Sequence, residues 1–120
     1  MKAVVLSPDL LISVRIADAA ERAGVEAVRV DDPADLPSAA GVDVLVVDWA
    51  AREPDWAREL NKWIAHSAQS HARVILFGPH TDLRAHAEAR EAGLGPMWAR
   101  SKLVTELSKF FEGRAVAPNP

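Results

Sequence analysis

Five short apolar runs, separated by longer amphipathic segments, set the pattern of this chain. The runs are AVVL at 3–6, VEAVRV at 25–30, VDVLVV at 42–47, RVILF at 73–77 and MWA at 97–99. Because they are brief and rich in β-branched residues, they predict strands rather than helices. The first, third and fourth runs are apolar without alternation, which is typical of parallel strands buried on both faces. The second run alternates, which indicates a place nearer the edge of the sheet.

The first and third segments between the runs follow a helical period. Apolar residues recur at i, i+4, i+7 and i+8 over 9–23, and the same spacing joins Trp56 to Ile64. Such a stripe is typical of a helix face that packs on a core. We therefore expect both Trp56 and Trp63 to lie in the core.

The remaining connections differ in their helical signal. Helices are predicted over 81–92 and 101–112, with Phe110 among the inward-facing residues of the second. The segment DDPADLPSAAG begins with a helix-start signal, but Pro37 follows too soon for a full helix. We expect only one turn or irregular chain over 32–40.

Strand and helix alternate along the chain, which predicts an open parallel sheet with helices on both faces. The fold class is a doubly wound five-stranded α/β sheet of the flavodoxin-like type, in the order 2-1-3-4-5. We expect one domain over 1–113 and a flexible C-terminal tail over 114–120, where RAVAPNP has no periodicity. Such sheets bind ligands at the carboxyl ends of strands one and three. Asp48, which ends the third run, is expected at that point.

Composition and motifs narrow the chemistry. The 120 residues carry a net charge of −3 and no cysteine, which disfavours a nucleic-acid-binding surface and thiol chemistry. No apolar run approaches the roughly 20 residues that span a bilayer, and the first residues lack a signal-peptide core. We expect a cytoplasmic protein that does not bind membranes.

The common catalytic and metal-binding motifs do not occur. The chain has no dinucleotide-binding, P-loop, hydrolase or zincin motif. His66 and His71 are poorly spaced for a shared metal, and His86 is remote from both. His80 is expected to be a solvated loop residue. We therefore predict no metal, no cofactor and no enzymatic activity, although a trio of Asp48, His80 and Arg100 stays open as a low-ranked alternative.

Two segments carry a resemblance to a known family. The layout over 2–113, the run VDVLVVDW and the segment AGLGPMWAR at 92–100 resemble the receiver domain of bacterial response regulators. The resemblance implies that Asp48 stands at the phosphoacceptor position. It also implies Mg²⁺-dependent phosphorylation of Asp48 as one hypothesis for the function.

The other groups that this chemistry needs are replaced. Where receivers carry two metal-binding acids after strand one, this chain has Ser7 and Pro8, and the following Asp9 suits a helix N-cap. Gly78 stands in place of the hydroxyl residue after strand four, and Arg100 in place of the lysine. The resemblance thus implies a pseudo-receiver in which Asp48 is vestigial. We expect the Asp48 carboxylate to contact backbone groups or Arg100.

Two roles remain for such a module. A signalling partner, or a second copy of the chain, would bind the face built from helix four, strand five and helix five of a receiver. The residues predicted on it are Arg84, Glu88, Arg90, Glu91, Trp98, Lys102, Glu106 and Lys109. Alternatively, Ser7, Asp48, Gly78, His80 and Arg100 line a pocket for a small molecule or an anion.

Overall fold

The computed structural model describes residues 1–66 and 72–113. The predicted tail over 114–120 and His71 lie outside these ranges. The strands are β1 (Lys2–Leu6), β2 (Glu26–Val30), β3 (Val44–Asp48), β4 (Arg73–Phe77) and β5 (Met97–Trp98). The α-helices are α1 (Leu10–Arg22), α2 (Trp56–Ala65), α3 (Leu83–Glu91) and α4 (Arg100–Phe111), and short 3-10 helices cover Pro33–Asp35, Ala39–Gly41 and Trp49–Ala51.

The five strands form one parallel sheet in the order β2-β1-β3-β4-β5, which confirms the predicted fold and strand order. All five residues of the central strand β3 are buried, as its unbroken apolar sequence predicts. The alternating strand β2 lies at one edge and is partly exposed along its length. Hydrophobic pattern therefore predicts the depth of β2 and β3 in the sheet as well as their existence.

The sheet is covered on both faces, and each face has its own core. On one face Ile16 of α1 and Leu107 of α4 pack against strand residues such as Val46. On the other, Leu60 of α2 and Ala89 of α3 pack with the neighbouring strand residues. Alternate residues of one strand feed the two cores because successive strand side chains point to opposite faces.

Some inward positions differ from the prediction. Trp56 is buried, whereas Trp63 is only half-buried and donates its indole N–H to the Pro37 carbonyl at 2.8 Å. At the end of α4 it is Phe111 that is buried in the core, while Phe110 is partly exposed and packs against it. Both differences arise at the end of a helix, where the buried stripe reaches the rim of the sheet.

The segment after β2 forms two separate 3-10 turns, as expected from its prolines. Asp32 caps the first turn by accepting the Ala34 N–H at 2.8 Å. Pro33 occupies the first helical position, and Pro37 prevents this turn from continuing as a longer helix. The connection between β2 and β3, all of whose residues are described, therefore contains no α-helix.

Candidate functional site

The carboxyl ends of β1 and β3 bring Ser7 and Asp48 together. The two strands pair in parallel, with Leu6 opposite Val47, so the next residue of each reaches the same edge of the sheet. The Ser7 hydroxyl donates to Asp48 Oδ2 at 2.8 Å. Ser7 is fully buried and Asp48 is only 3% exposed. The predicted phosphoacceptor position is therefore enclosed by protein.

The Ser7 hydroxyl uses both sides of its hydrogen-bonding capacity. While it donates to Asp48, its oxygen accepts the Asp9 N–H at 3.1 Å. Asp9 then caps α1, because its Oδ1 accepts the Leu11 N–H at 3.0 Å. A chain of hydrogen bonds thus runs from the end of β3 to the start of α1. It confirms the predicted capping role of Asp9.

The second oxygen of Asp48 has no partner. Asp48 Oδ1 is buried, and no hydrogen-bond partner within residues 1–66 and 72–113 reaches it. Burying a charged group without full pairing is unfavourable. The single bond from Ser7 is therefore the main polar compensation that the described residues offer this carboxylate.

Gly78 follows Phe77, the residue of β4 that lies opposite Asp48. A side-chain carbon at this position would lie 2.7 Å from Met97 Sδ and 3.7 Å from the Ala50 side chain. Met97 is itself buried, so its sulfur has little room to retreat. At this position, where the resemblance leads us to expect a hydroxyl residue, a side chain would force Met97 to shift. Sequence reasoning missed the contact because it joins residues on neighbouring strands.

The prediction that the Asp48 carboxylate contacts backbone groups or Arg100 is wrong, because among the described residues its hydrogen bond comes from the Ser7 side chain. Arg100 Nη2 lies 3.7 Å from Asp9 Oδ2, and its guanidinium stands 6.0 Å from the centre of the Phe77 ring. Arg100 begins α4 at the rim of the sheet, where Asp9 offers a half-exposed carboxylate. Asp9, and not Asp48, is therefore the acidic partner of this arginine.

Two further residues of the predicted pocket lie at the surface. Pro8 and His80 are exposed, and the His80 carbonyl accepts the His86 Nε2–H at 3.1 Å. Of the residues predicted to line the pocket, Ser7, Asp48 and Gly78 are buried. Among the described residues no cluster of three histidine or acidic side chains could hold a metal ion.

Two residues of the predicted interaction face are buried, which corrects their assignment. Trp98 is 1% exposed within the core under α1 and α4, and Lys102 and Arg73 lie over its ring at 5.0 and 5.6 Å. Glu106 is 7% exposed and pairs with Lys109 at 3.2 Å. These two side chains support the fold and present almost no surface to a partner.

The exposed part of that face borders an ion-pair network. Arg52 Nε donates to Glu88 Oε2 at 2.5 Å, and Arg84 Nε donates to Glu88 Oε1 at 3.1 Å. The hydrogen bond from Arg52, with a further one from Arg84, lowers the pKa of the Glu88 carboxyl despite some desolvation. Sequence reasoning missed Arg52, because nothing in the local pattern around it indicates a partner 36 residues away.

The network lines one side of an open groove between α2 and α3. The groove has a volume of about 710 Å³ and is lined on its charged side by Arg52, Glu53, Arg84, Glu88 and Glu91. Its floor is Trp49, whose indole N–H donates to the Ala85 carbonyl at 2.9 Å while Arg52 lies over the ring at 5.4 Å. The charged side chains of this groove thus lie beside α3, whereas the buried carboxylate of Asp48 is not part of its lining.

Comparison with known proteins adds the fold alone. No protein-family model matches the chain, and no curated protein sequence does. The chain is similar to a de novo designed Rossmann 2x3 fold protein solved by solution NMR, with 16% identity and a TM-score of 0.58. The match covers 98% of this chain and 95% of the designed one. The chain therefore has a Rossmann-like α/β fold with a parallel sheet.

No helix in the described parts of the chain is long and apolar enough to cross a membrane.

Proposed function

We propose that this chain is a receiver-like signalling module that acts through protein–protein contacts without metal-dependent phosphorylation of an aspartate. The enclosure of Asp48 carries the proposal. A phosphoacceptor must meet a phosphodonor in solvent, yet Asp48 is 3% exposed and hydrogen-bonded to Ser7. In place of a reactive group, the carboxylate holds the ends of two strands together.

The surroundings of Asp48 also oppose the charge that phosphorylation would add. A phosphoryl group brings about 1.5–2 negative charges at neutral pH. Mg²⁺ binds through carboxylates, phosphate oxygens and water, but the neighbouring Ser7 is neutral and already bonded on both sides. The Arg100 guanidinium faces Asp9 instead. Little near Asp48 would offset a phosphate.

Binding of a protein partner has support from the surface beside α3. Arg84 is 86% exposed at its side chain, and Glu91 is exposed one turn beyond Glu88. Together with Arg52 they present both signs of charge along one open groove. Charge patterns of this kind favour one partner over another more than they raise affinity. A signalling protein or a second copy of this chain would bind to these charged side chains.

Binding of a small molecule at the end of the sheet has less support. The unpartnered Asp48 Oδ1 would accept a hydrogen bond from a ligand donor. However, Ser7 and Asp48 leave almost no exposed surface there, and Met97 takes up the space beside Gly78. The same carboxylate would repel an anion. A ligand would have to open the packing before it could bind.

A phosphorylation assay tests the proposal. Purified protein is incubated with acetyl phosphate and millimolar Mg²⁺, and its intact mass is measured over time beside the Asp48→Asn variant. We expect both masses to stay unchanged, because the carboxylate is enclosed. A gain of one phosphoryl group in the wild type that is lost in Asp48→Asn would overturn the proposal.

A further inference from the structure

Four exposed apolar side chains gather on the adjoining faces of α1 and α4. Leu10, Leu11 and Val14 of α1 are 62%, 81% and 63% exposed, and Val104 of α4 is 42% exposed. Leu10 and Val14 are four residues apart and Leu11 and Val14 three, so they are neighbours on one helix surface. Clustered exposed apolar side chains mark interaction sites more often than single ones do.

A groove between the two helices extends this apolar surface. It has a volume of about 400 Å³ and is lined by Asp9, Leu11, Ile12, Arg15, Arg100, Ser101 and Val104. We call this surface, with Leu10 and Val14 beside it, the α1–α4 groove. Leu11 and Val104 are thus part of one concave surface, although they are far apart in the sequence.

The charges of the α1–α4 groove are mainly positive, although the whole chain carries −3. Arg15 is exposed, and no carboxylate of the described residues forms an ion pair with it. Arg100 is half-exposed; its guanidinium lies 3.7 Å from Asp9 Oδ2, the one acidic group among the described residues that line the groove, and 6.0 Å from the centre of the Phe77 ring. The N-terminus of α4 adds to this field, because Ala99 supplies no side-chain cap for its free N–H groups.

We propose that the α1–α4 groove binds an acidic amphipathic helix of another protein. Apolar side chains of that helix would cover Leu11, Val14 and Val104, while its carboxylates would face Arg15 and Arg100. A helix presents apolar anchors at i, i+3, i+4 and i+7 on one face and carries charge on its sides, which suits a narrow apolar groove flanked by arginines. Charge complementarity therefore predicts that the partner helix carries negative charge.

The same charges disfavour two other occupants. A symmetric dimer through this surface would bring arginines of one copy towards those of the other, since a two-fold interface pairs a patch with itself. The segment RAVAPNP at 114–120 carries an arginine and no acidic side chain. A partner with exposed glutamates or aspartates meets neither difficulty.

The inference rests on the proposed role as an interaction module, but it concerns a surface distinct from the α3 groove. Its test therefore uses substitutions in α1 that leave Asp48 and Glu88 untouched. The mass assay for phosphorylation can fail or succeed independently of it.

The test is selection from a displayed library of helical peptides with randomised side chains, using the purified full chain as bait. We expect the enriched peptides to combine leucine-like residues at helical spacing with glutamate or aspartate. The best peptide is then synthesised with a fluorescent label, and its dissociation constant is measured by anisotropy. Leu11→Ser and Arg15→Glu should each weaken binding about tenfold or more, since each removes an anchor or reverses a charge.

Matched controls come from the other side of the molecule. Leu83 is 77% exposed on α3, and Arg58 of α2 is 70% exposed at its side chain, so both resemble the tested residues in exposure. Leu83→Ser and Arg58→Glu should leave the affinity within about twofold. The inference is overturned if the library yields no enriched peptide, if the enriched peptides are basic, or if the control substitutions weaken binding as much as the α1 substitutions do. Circular dichroism of all four variants checks that each is folded.

Discussion

Two carboxylates of this chain, Asp48 and Glu88, have opposite surroundings. Asp48 is buried and its partner is a neutral hydroxyl, whereas Glu88 lies at a groove and faces two guanidinium groups. The residue that resembles a functional position is thus the one that solvent hardly reaches. The residue with strong electrostatic partners, Glu88, was predicted only as one of several residues on the interaction face. The comparison shows that a resemblance in sequence position does not by itself indicate an accessible carboxylate.

Removal of the Ser7 hydroxyl should give the largest effect, because it would leave a buried carboxylate without a hydrogen bond. We expect Ser7→Ala to lower the free energy of unfolding by about 3 kcal/mol. The measurement is urea unfolding at neutral pH. Ser13→Ala is the matched control, since Ser13 is also buried but donates only to the neutral Asp9 carbonyl at 2.8 Å, and it should cost about 1 kcal/mol.

A double-mutant cycle sharpens the same point. In an Asp48→Asn background the acceptor is neutral, so Ser7→Ala should cost less there than in the wild type. Two outcomes would contradict a special role for the Ser7 hydrogen bond in stabilising the charged Asp48 carboxylate. One is an equal cost of Ser7→Ala in both backgrounds, and the other is a cost no larger than that of Ser13→Ala.

A methyl group at Gly78 should have the next largest effect. Gly78→Ala places a carbon 2.7 Å from Met97 Sδ, so the buried Met97 side chain must shift to accept it. Overpacking of this kind costs about 1–3 kcal/mol. Thermal unfolding measures the loss, and Gly41→Ala is the control, because a side chain there meets no atom within 4 Å. If Met97→Ala does not relieve the effect of Gly78→Ala, the contact is not its cause.

Loss of the Arg52–Glu88 ion pair should have the smallest effect on stability, because solvent screens the charges there. Arg52 holds the pKa of the Glu88 carboxyl below its ordinary value of 4.5, so this pair stabilises the fold above that pH. The stabilisation is lost as the pH falls through the lowered value. Arg52→Gln should raise the titration midpoint of Glu88 in carbon-detected NMR, and Arg84→Gln should raise it less. An unchanged midpoint in Arg52→Gln would contradict this reading of the network.

Sequence pattern predicted the sheet well because strand depth depends on local composition. The unbroken apolar run of β3 and the alternation of β2 state directly which faces are covered. The capping role of Asp9 is also local, since its partners lie two and three residues away. The prolines near Pro37 decided the form of the second connection for the same reason.

The candidate site was harder to predict because its contacts are non-local. Ser7 and Asp48 are 41 residues apart, and the position of Met97 against Gly78 depends on how β4 and β5 pair. Arg100 could reach either Asp9 or Asp48 from the rim of the sheet, and sequence offers no measure of the distances. The burial of Trp98 was within reach, since helices on both faces of a parallel sheet leave neither side of a strand exposed.

The two edges of the sheet also bear on aggregation. An exposed edge strand presents unpaired backbone groups that can join another chain. At one edge, β2 carries the exposed charged residues Glu26 and Arg29, and like strands that approached in register would bring equal charges together. At the other edge, β5 is only two residues long. One edge is therefore guarded by charge and the other by its shortness, so the sheet is a poor template for growth by strand addition.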